Sequence, residues 1–156
     1  MSYVTHRVDG ELGCWTAVEW RPAHLRDAVD RLWHFTGRIA HPRERVLPTG
    51  LLQLVVHLDA RYGLVREGGV ERCPALVMSG QQTQSSVIEA PSGPSTVLGV
   101  ELTPEGAWRL LRRPLHELAG HDVDLFDLVG AGAARLADGC GATARDPRAC
   151  LSAAAA

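Results

Sequence analysis

Arg43-Glu44-Arg45-Val46-Leu47-Pro48-Thr49-Gly50-Leu51-Leu52-Gln53-Leu54-Val55-Val56-His57-Leu58 carries the strongest structural signal in the chain. It reads as a charged turn, a Pro-X-Gly corner and a long alternating strand. Pro48 and Gly50 are the residues that shape such a corner. Beyond it, Leu52, Leu54, Val56 and Leu58 fall on one face, and Leu51, Gln53, Val55 and His57 on the other. Successive strand side chains point to opposite sides, so one face is wholly apolar and the second is mixed. If the mixed face lines a lumen, Gln53 and His57 are the few polar groups that orient a ligand there. On a one-sided antiparallel sheet they would instead face water.

Working away from this strand, β-rich segments recur on both sides. Cys14–Trp20 is closed by Arg21-Pro22 and reads as a strand. Leu25, Ala28, Val29 and Leu32 then recur at helical spacing, which predicts a short amphipathic helix after Pro22. Trp33-His34-Phe35-Thr36 reads as extended up to Gly37. Further strands are expected at 62–65, 75–78, 86–90 and 95–102, with turns at Gly68-Gly69 and Pro91-Ser92-Gly93-Pro94. At Thr103-Pro104 the texture changes to helix, with threonine as cap and proline at the first helical position. Asp124 is placed to cap another helix carrying Leu125, Leu128, Val129 and Leu136. The fold class is therefore α+β: a small antiparallel β-barrel or sandwich, cupin-like, with flanking and C-terminal helices. Residues 1–138 form one domain. Residues 139–156 are rich in Ala and Gly and are expected to be a disordered tail or truncated linker.

Composition narrows the function classes. The chain has 156 residues, 46% of them hydrophobic, and a net charge of −2, so no global basic surface awaits phosphates. All 16 cationic residues are Arg, which reflects codon bias more than recognition chemistry. Cys14, Cys73, Cys140 and Cys150 form no CxxC pair, and no signal-peptide pattern opens the chain. Free thiols, a cytoplasmic location and no membrane partner are expected. The seven histidines are singletons, so only convergence of His34, His41 and His57 in space would make a metal site. No metal and no cofactor is expected. There is no Gly-X-Ser-X-Gly elbow, no phosphate loop and no local carboxylate pair, so the chain is not expected to be an enzyme.

Binding is better supported than catalysis. Beside Gln53 and His57, Trp33 and Phe35 share a strand face and can wall an aromatic ligand or pack a core. Gln81 and Gln82 follow a strand and Gly80, where a pocket rim would sit. Arg45 has a planar fork suited to a carboxylate or a ligand anion, in a run that otherwise reads as a solvated turn. The candidate ligand-binding set is Trp33, Arg45, Gln53, His57, Gln81 and Gln82.

Several pieces occur in a particular order: Leu32-Trp33, Arg-X-Leu-Pro-X-Gly at 45–50, the alternating strand, and Gly80-Gln81-Gln82-Thr83. They continue with Pro-Ser-Gly-Pro at 91–94, Gly-Val-X-Leu-X-Pro at 99–104, Pro-Leu-X-Glu-Leu at 114–118 and Val-X-Leu-X-Asp-Leu at 123–128. From Val18 to Leu128 the chain thus resembles the N-terminal sensor domain of AraC-type transcriptional regulators. The resemblance implies a β-barrel that binds a small effector, forms a homodimer and precedes a pair of helix-turn-helix units. Two departures stand out. Thr49 and Gln53 occupy positions where the family often has acids, which implies a shifted or lost ligand preference if those acids contact effector. No helix-turn-helix pattern follows Leu128, so direct DNA binding is not expected of these residues. The alternative functions are a small cupin-like barrel enzyme, or a standalone domain that modulates a full-length regulator by heterodimerisation.

Overall fold

The computed structural model describes residues 2–156. The chain is an α+β protein dominated by two antiparallel sheets. The strands are β1 (Tyr3–Gly10), β2 (Gly13–Trp20), β3 (Val29–Ile39), β4 (Arg43–Val46), β5 (Leu52–His57) and β6 (Gly63–Arg66). They continue with β7 (Gly69–Arg72), β8 (Leu76–Ser79), β9 (Ser86–Glu89), β10 (Ser95–Leu102) and β11 (Asp122–Asp124). The large sheet has seven strands in the order β1-β2-β3-β10-β5-β8-β11, and the small one has four, β4-β9-β6-β7. The helices are α1 (Pro104–Leu111), α2 (Leu125–Val129), α3 (Ala131–Ala142) and α4 (Pro147–Ala154). No helix among the described residues is long and apolar enough to cross a membrane.

The apolar face read from the sequence packs under helices. Leu52, Leu54 and Val56 of β5 join Leu98, Val100 and Leu102 of β10, Leu32 of β3 and Met78 of β8 in one core. That core also takes in Leu111 of α1, Leu125 of α2 and Leu151 of α4. Thr103 caps α1 as expected: its hydroxyl accepts from Gly106 N at 3.0 Å and donates to Asp27 O at 2.7 Å. Its backbone N–H donates to Ala28 O at 3.0 Å, so cap and docking site coincide. Gly106 is required there because any Cβ would strike the Ala28 backbone. Asp124 caps α2 by accepting from Phe126 N at 2.9 Å.

Several expectations fail. Residues 43–45, read as a charged turn, lie in strand β4. The helix expected to run from Asp124 through Leu136 breaks at Gly130, whose positive φ of 51° separates α2 from α3. The spacing of Leu25, Ala28, Val29 and Leu32 does not make a helix: only Ala23–Leu25 coil into a 3-10 turn, and Val29 already starts β3. β3 is paired on both edges, to β2 and to β10, and those two ladders override a weak helical preference. Residues 139–156 are not a loose tail. Asp146 accepts from Arg148 N and Ala149 N, Pro147 opens α4, and Cys140, Cys150 and Leu151 are fully buried. Cys150 Sγ donates to Cys140 O at 3.8 Å, binding the α3–α4 hairpin together. All four cysteines are free thiols, and Cys14 alone is exposed.

Candidate functional site

The other face of the large sheet looks across to the small sheet, and the two enclose a cavity of about 580 Å³. That is within the usual range for small-molecule sites, roughly 300–1,000 Å³. Strand register arranges the large-sheet wall in rows. The first row is polar throughout: Arg31, Glu101, Gln53, Ser79 and Asp122 stand side by side on β3, β10, β5, β8 and β11. The next is Glu19, Trp33, Gly99, Val55 and Val77, and beyond it lie Ala17, Phe35, Val97 and His57. The opposing wall comes from the small sheet, where Glu44, Ile88 and Leu64 are in register. Leu12 and His41, both exposed, mark the mouth.

Charge is concentrated in the polar row. Arg31 donates Nε to Glu101 at 3.2 Å, a second nitrogen to the other oxygen of Glu101, and a third to Glu19 at 3.2 Å. Glu101 is only 5% exposed, and a carboxylate so buried needs such a fork. Its hydrogen bond holds the Arg31 pKa above the ordinary guanidinium value. Asp122 accepts from the Ser79 hydroxyl at 2.6 Å and from Arg66 of the small sheet at 3.3 Å, clasping the two sheets at this end. At the other end Tyr62 and Ser95 share a hydroxyl contact of 3.3 Å.

His57 lies 9% exposed with its ring centroid 5.7 Å from that of Tyr62. A carbonyl can only accept, so the 3.1 Å contact with Pro74 O puts the proton on Nδ1 and leaves Nε2 as an acceptor. Burial lowers the His57 pKa, which keeps the ring neutral near pH 7. Gly99 has a geometric role. A Cβ there would overlap the indole of Trp33, its partner in register, so glycine lets the ring lie flat along the wall.

Of the residues singled out from sequence, Trp33, Gln53 and His57 line the cavity, together with Phe35. Arg45, Gln81 and Gln82 do not. Arg45 is exposed on the outward face of β4 and makes no ion pair with a described residue; its neighbour Glu44 faces inward instead. Gln81 and Gln82 follow β8 in a segment pinned to the 118–121 turn by Gly80 N to His121 O at 2.9 Å and Gly120 N to Gln81 O at 3.0 Å. His34, His41 and His57 do not converge. His34 points to the helix face, where Nε2 donates to Ala144 O at 3.0 Å. Among the described residues no three His, Cys, Asp or Glu side chains are grouped to hold a metal.

Sequence reasoning missed Arg31, Glu19 and Glu101, which are far apart along the chain and meet only through strand register. The one available signal was Glu101, a lone charge in the apolar run of β10. Comparison with curated proteins gives no match. A family model described as a domain of unknown function, DUF6597, matches residues 20–124, from the end of β2 through β11. That span holds most of the cavity wall, though not the β2 residues Trp15, Ala17 and Glu19, and more than half of the chain, which therefore belongs to the DUF6597 family.

Proposed function

We propose that this chain is the effector-sensing domain of an AraC-type transcriptional regulator, acting in the cytoplasm. Its two sheets serve as a small cupin-like barrel that binds a small molecule without covalent chemistry. The observation that carries this reading is the cavity. It has largely apolar and aromatic walls, one row that is polar throughout, and a Gln53 amide with no hydrogen-bond partner among the described residues. Such a mixture suits reversible, oriented binding. The ordered motifs of residues 32–128 support the regulator assignment.

The route from ligand to output runs through β3. Trp33 faces the cavity, while the next residue, His34, holds the Ala144 carbonyl in the connection between α3 and α4. A ligand that favours one setting of Trp33 biases the seating of those helices, provided it binds the two settings with different affinity. The test is a thermal-unfolding screen of the purified chain against a broad metabolite library. A ligand at 100 times its Kd stabilises by about 2.7 kcal/mol. The expected result is a dose-dependent rise in Tm with a change in tryptophan emission. A library that leaves both untouched removes the sensing role.

A further inference from the structure

We propose that the cavity takes a small organic cation, an amine with an apolar or aromatic body, and that Glu44 meets its charge. This inference rests on the sensing role and names the ligand class. The lining offers the carboxylates Glu19, Glu44, Glu101 and Asp122 against one guanidinium, Arg31. An anionic ligand would need Arg31, yet all three nitrogens of its fork are already engaged by Glu101 and Glu19. Two carboxylates share one guanidinium in that cluster, and the other basic group beside it is the exposed His6, whose Nε2 lies 3.9 Å from Glu19. Asp122 pairs with Arg66 at 3.3 Å, and that guanidinium is shared with Glu71 at 3.9 Å.

Glu44 is different. Its side chain has neither an ion pair nor a hydrogen bond to any described residue, and it faces the cavity half-buried from β4, one of the two edge strands of the small sheet. Around the same volume stand Trp15, Trp33, Phe35 and Tyr62. Trp15 and Phe35 are tilted together with centroids 5.7 Å apart, so aromatic surface is concentrated near the mouth. Aromatic faces are electron-rich and attract a desolvated cation while repelling an anion. Unbalanced carboxylate, saturated guanidinium and aromatic walls all select the same sign of ligand. Gln53, on the polar row with no hydrogen-bond partner among the described residues, supplies a neutral donor and acceptor for the remainder of the molecule.

The test uses matched probes that differ only in their head group. One set is 2-phenylethylamine, 2-phenylethanol and phenylacetate; the larger set is tryptamine, tryptophol and indole-3-acetate. Binding is followed calorimetrically near pH 7, where both amines are protonated. Each amine is expected to bind at least about tenfold tighter than its alcohol, with the acid weakest. Glu44→Gln is expected to bring the amine down to the affinity of the alcohol. The Tm of the unliganded variant should not move, because the Glu44 side chain makes no hydrogen bond or ion pair with any described residue. An alcohol or acid that binds as well as its amine overturns the cation assignment and leaves the sensing role standing. An amine indifferent to Glu44→Gln overturns the role of Glu44. If no probe binds while another library compound stabilises the protein, the ligand class falls alone; if nothing binds at all, both readings fall.

Discussion

On the helix-covered side of the large sheet, His34, Leu98 and Val56 sit in a row with Leu32 two residues away on β3, all sealed from solvent. One residue along the same strands, on the opposite side, Trp33, Gly99 and Val55 form a row on the cavity side. The first face has filled its volume, and its side chains are there to hold the domain together. The second keeps its volume open, and its side chains hold a shape. A strand whose two sides do such different work must keep its register, since a slip of one residue would put leucines in the cavity and an arginine under the helices.

The contrast is most easily broken at Leu98. Leu98→Ala removes a fully buried side chain from the helix-side core and is expected to cost about 2–5 kcal/mol in denaturant unfolding. Ligand affinity per folded molecule should be nearly unchanged. Next comes Gly99→Ala, directly adjacent in sequence but on the open side. The added methyl overlaps the Trp33 indole. The cost is expected at about 1–3 kcal/mol, accompanied by a shift in tryptophan emission as the ring swings into the cavity. Unchanged emission would mean that Trp33 does not lie against Gly99.

Acid sharpens the comparison from another direction. Burial lowers the pKa of both His34 on the helix side and His57 on the cavity side. At pH below about 6.5 the unfolded chain therefore binds more protons than the folded one, so stability falls as pH drops from there through the folded-state values. His34→Gln, which can still donate to Ala144 O, should flatten that decline in a pH series of unfolding curves. Identical slopes in the variant and the parent would assign the whole effect to the cavity side. The smallest change is expected from Val55→Ala. Val55 already borders open volume, so trimming it should cost about 1 kcal/mol or less, well below Leu98→Ala. Equal losses at the two sites would erase the distinction between the faces.

Much of this architecture was legible in the sequence where local chemistry decides it. The alternation in β5 and β10, the Thr103-Pro104 start of α1 and the Asp124 cap of α2 are set within a few residues of chain. Residues 25–32 misled because apolar spacing there fits a helix, while two long-range ladders decide otherwise. The tail misled because Leu151 is its one large apolar side chain, and its other fully buried residues, Cys140 and Cys150, are small and pack closely without announcing themselves as anchors. The site was half legible. Gln53, His57 and Trp33 stood out as exceptions or large side chains on an inward face. Arg45 was chosen over Glu44 because nothing in a short charged run says which alternate residue turns inward. The Arg31–Glu101 pair is separated by 70 positions, so it becomes visible only when β3 meets β10.

The sealed thiols of the α3–α4 hairpin give this protein a clock of its own. Cys14 is open to any alkylating reagent, whereas Cys140 and Cys150 react only when the hairpin lifts. Cys73, a lining residue whose thiol burial pushes up to about 11, reports separately on the cavity. Timing the three signals by mass spectrometry would measure local opening of each compartment in a single unaltered sample.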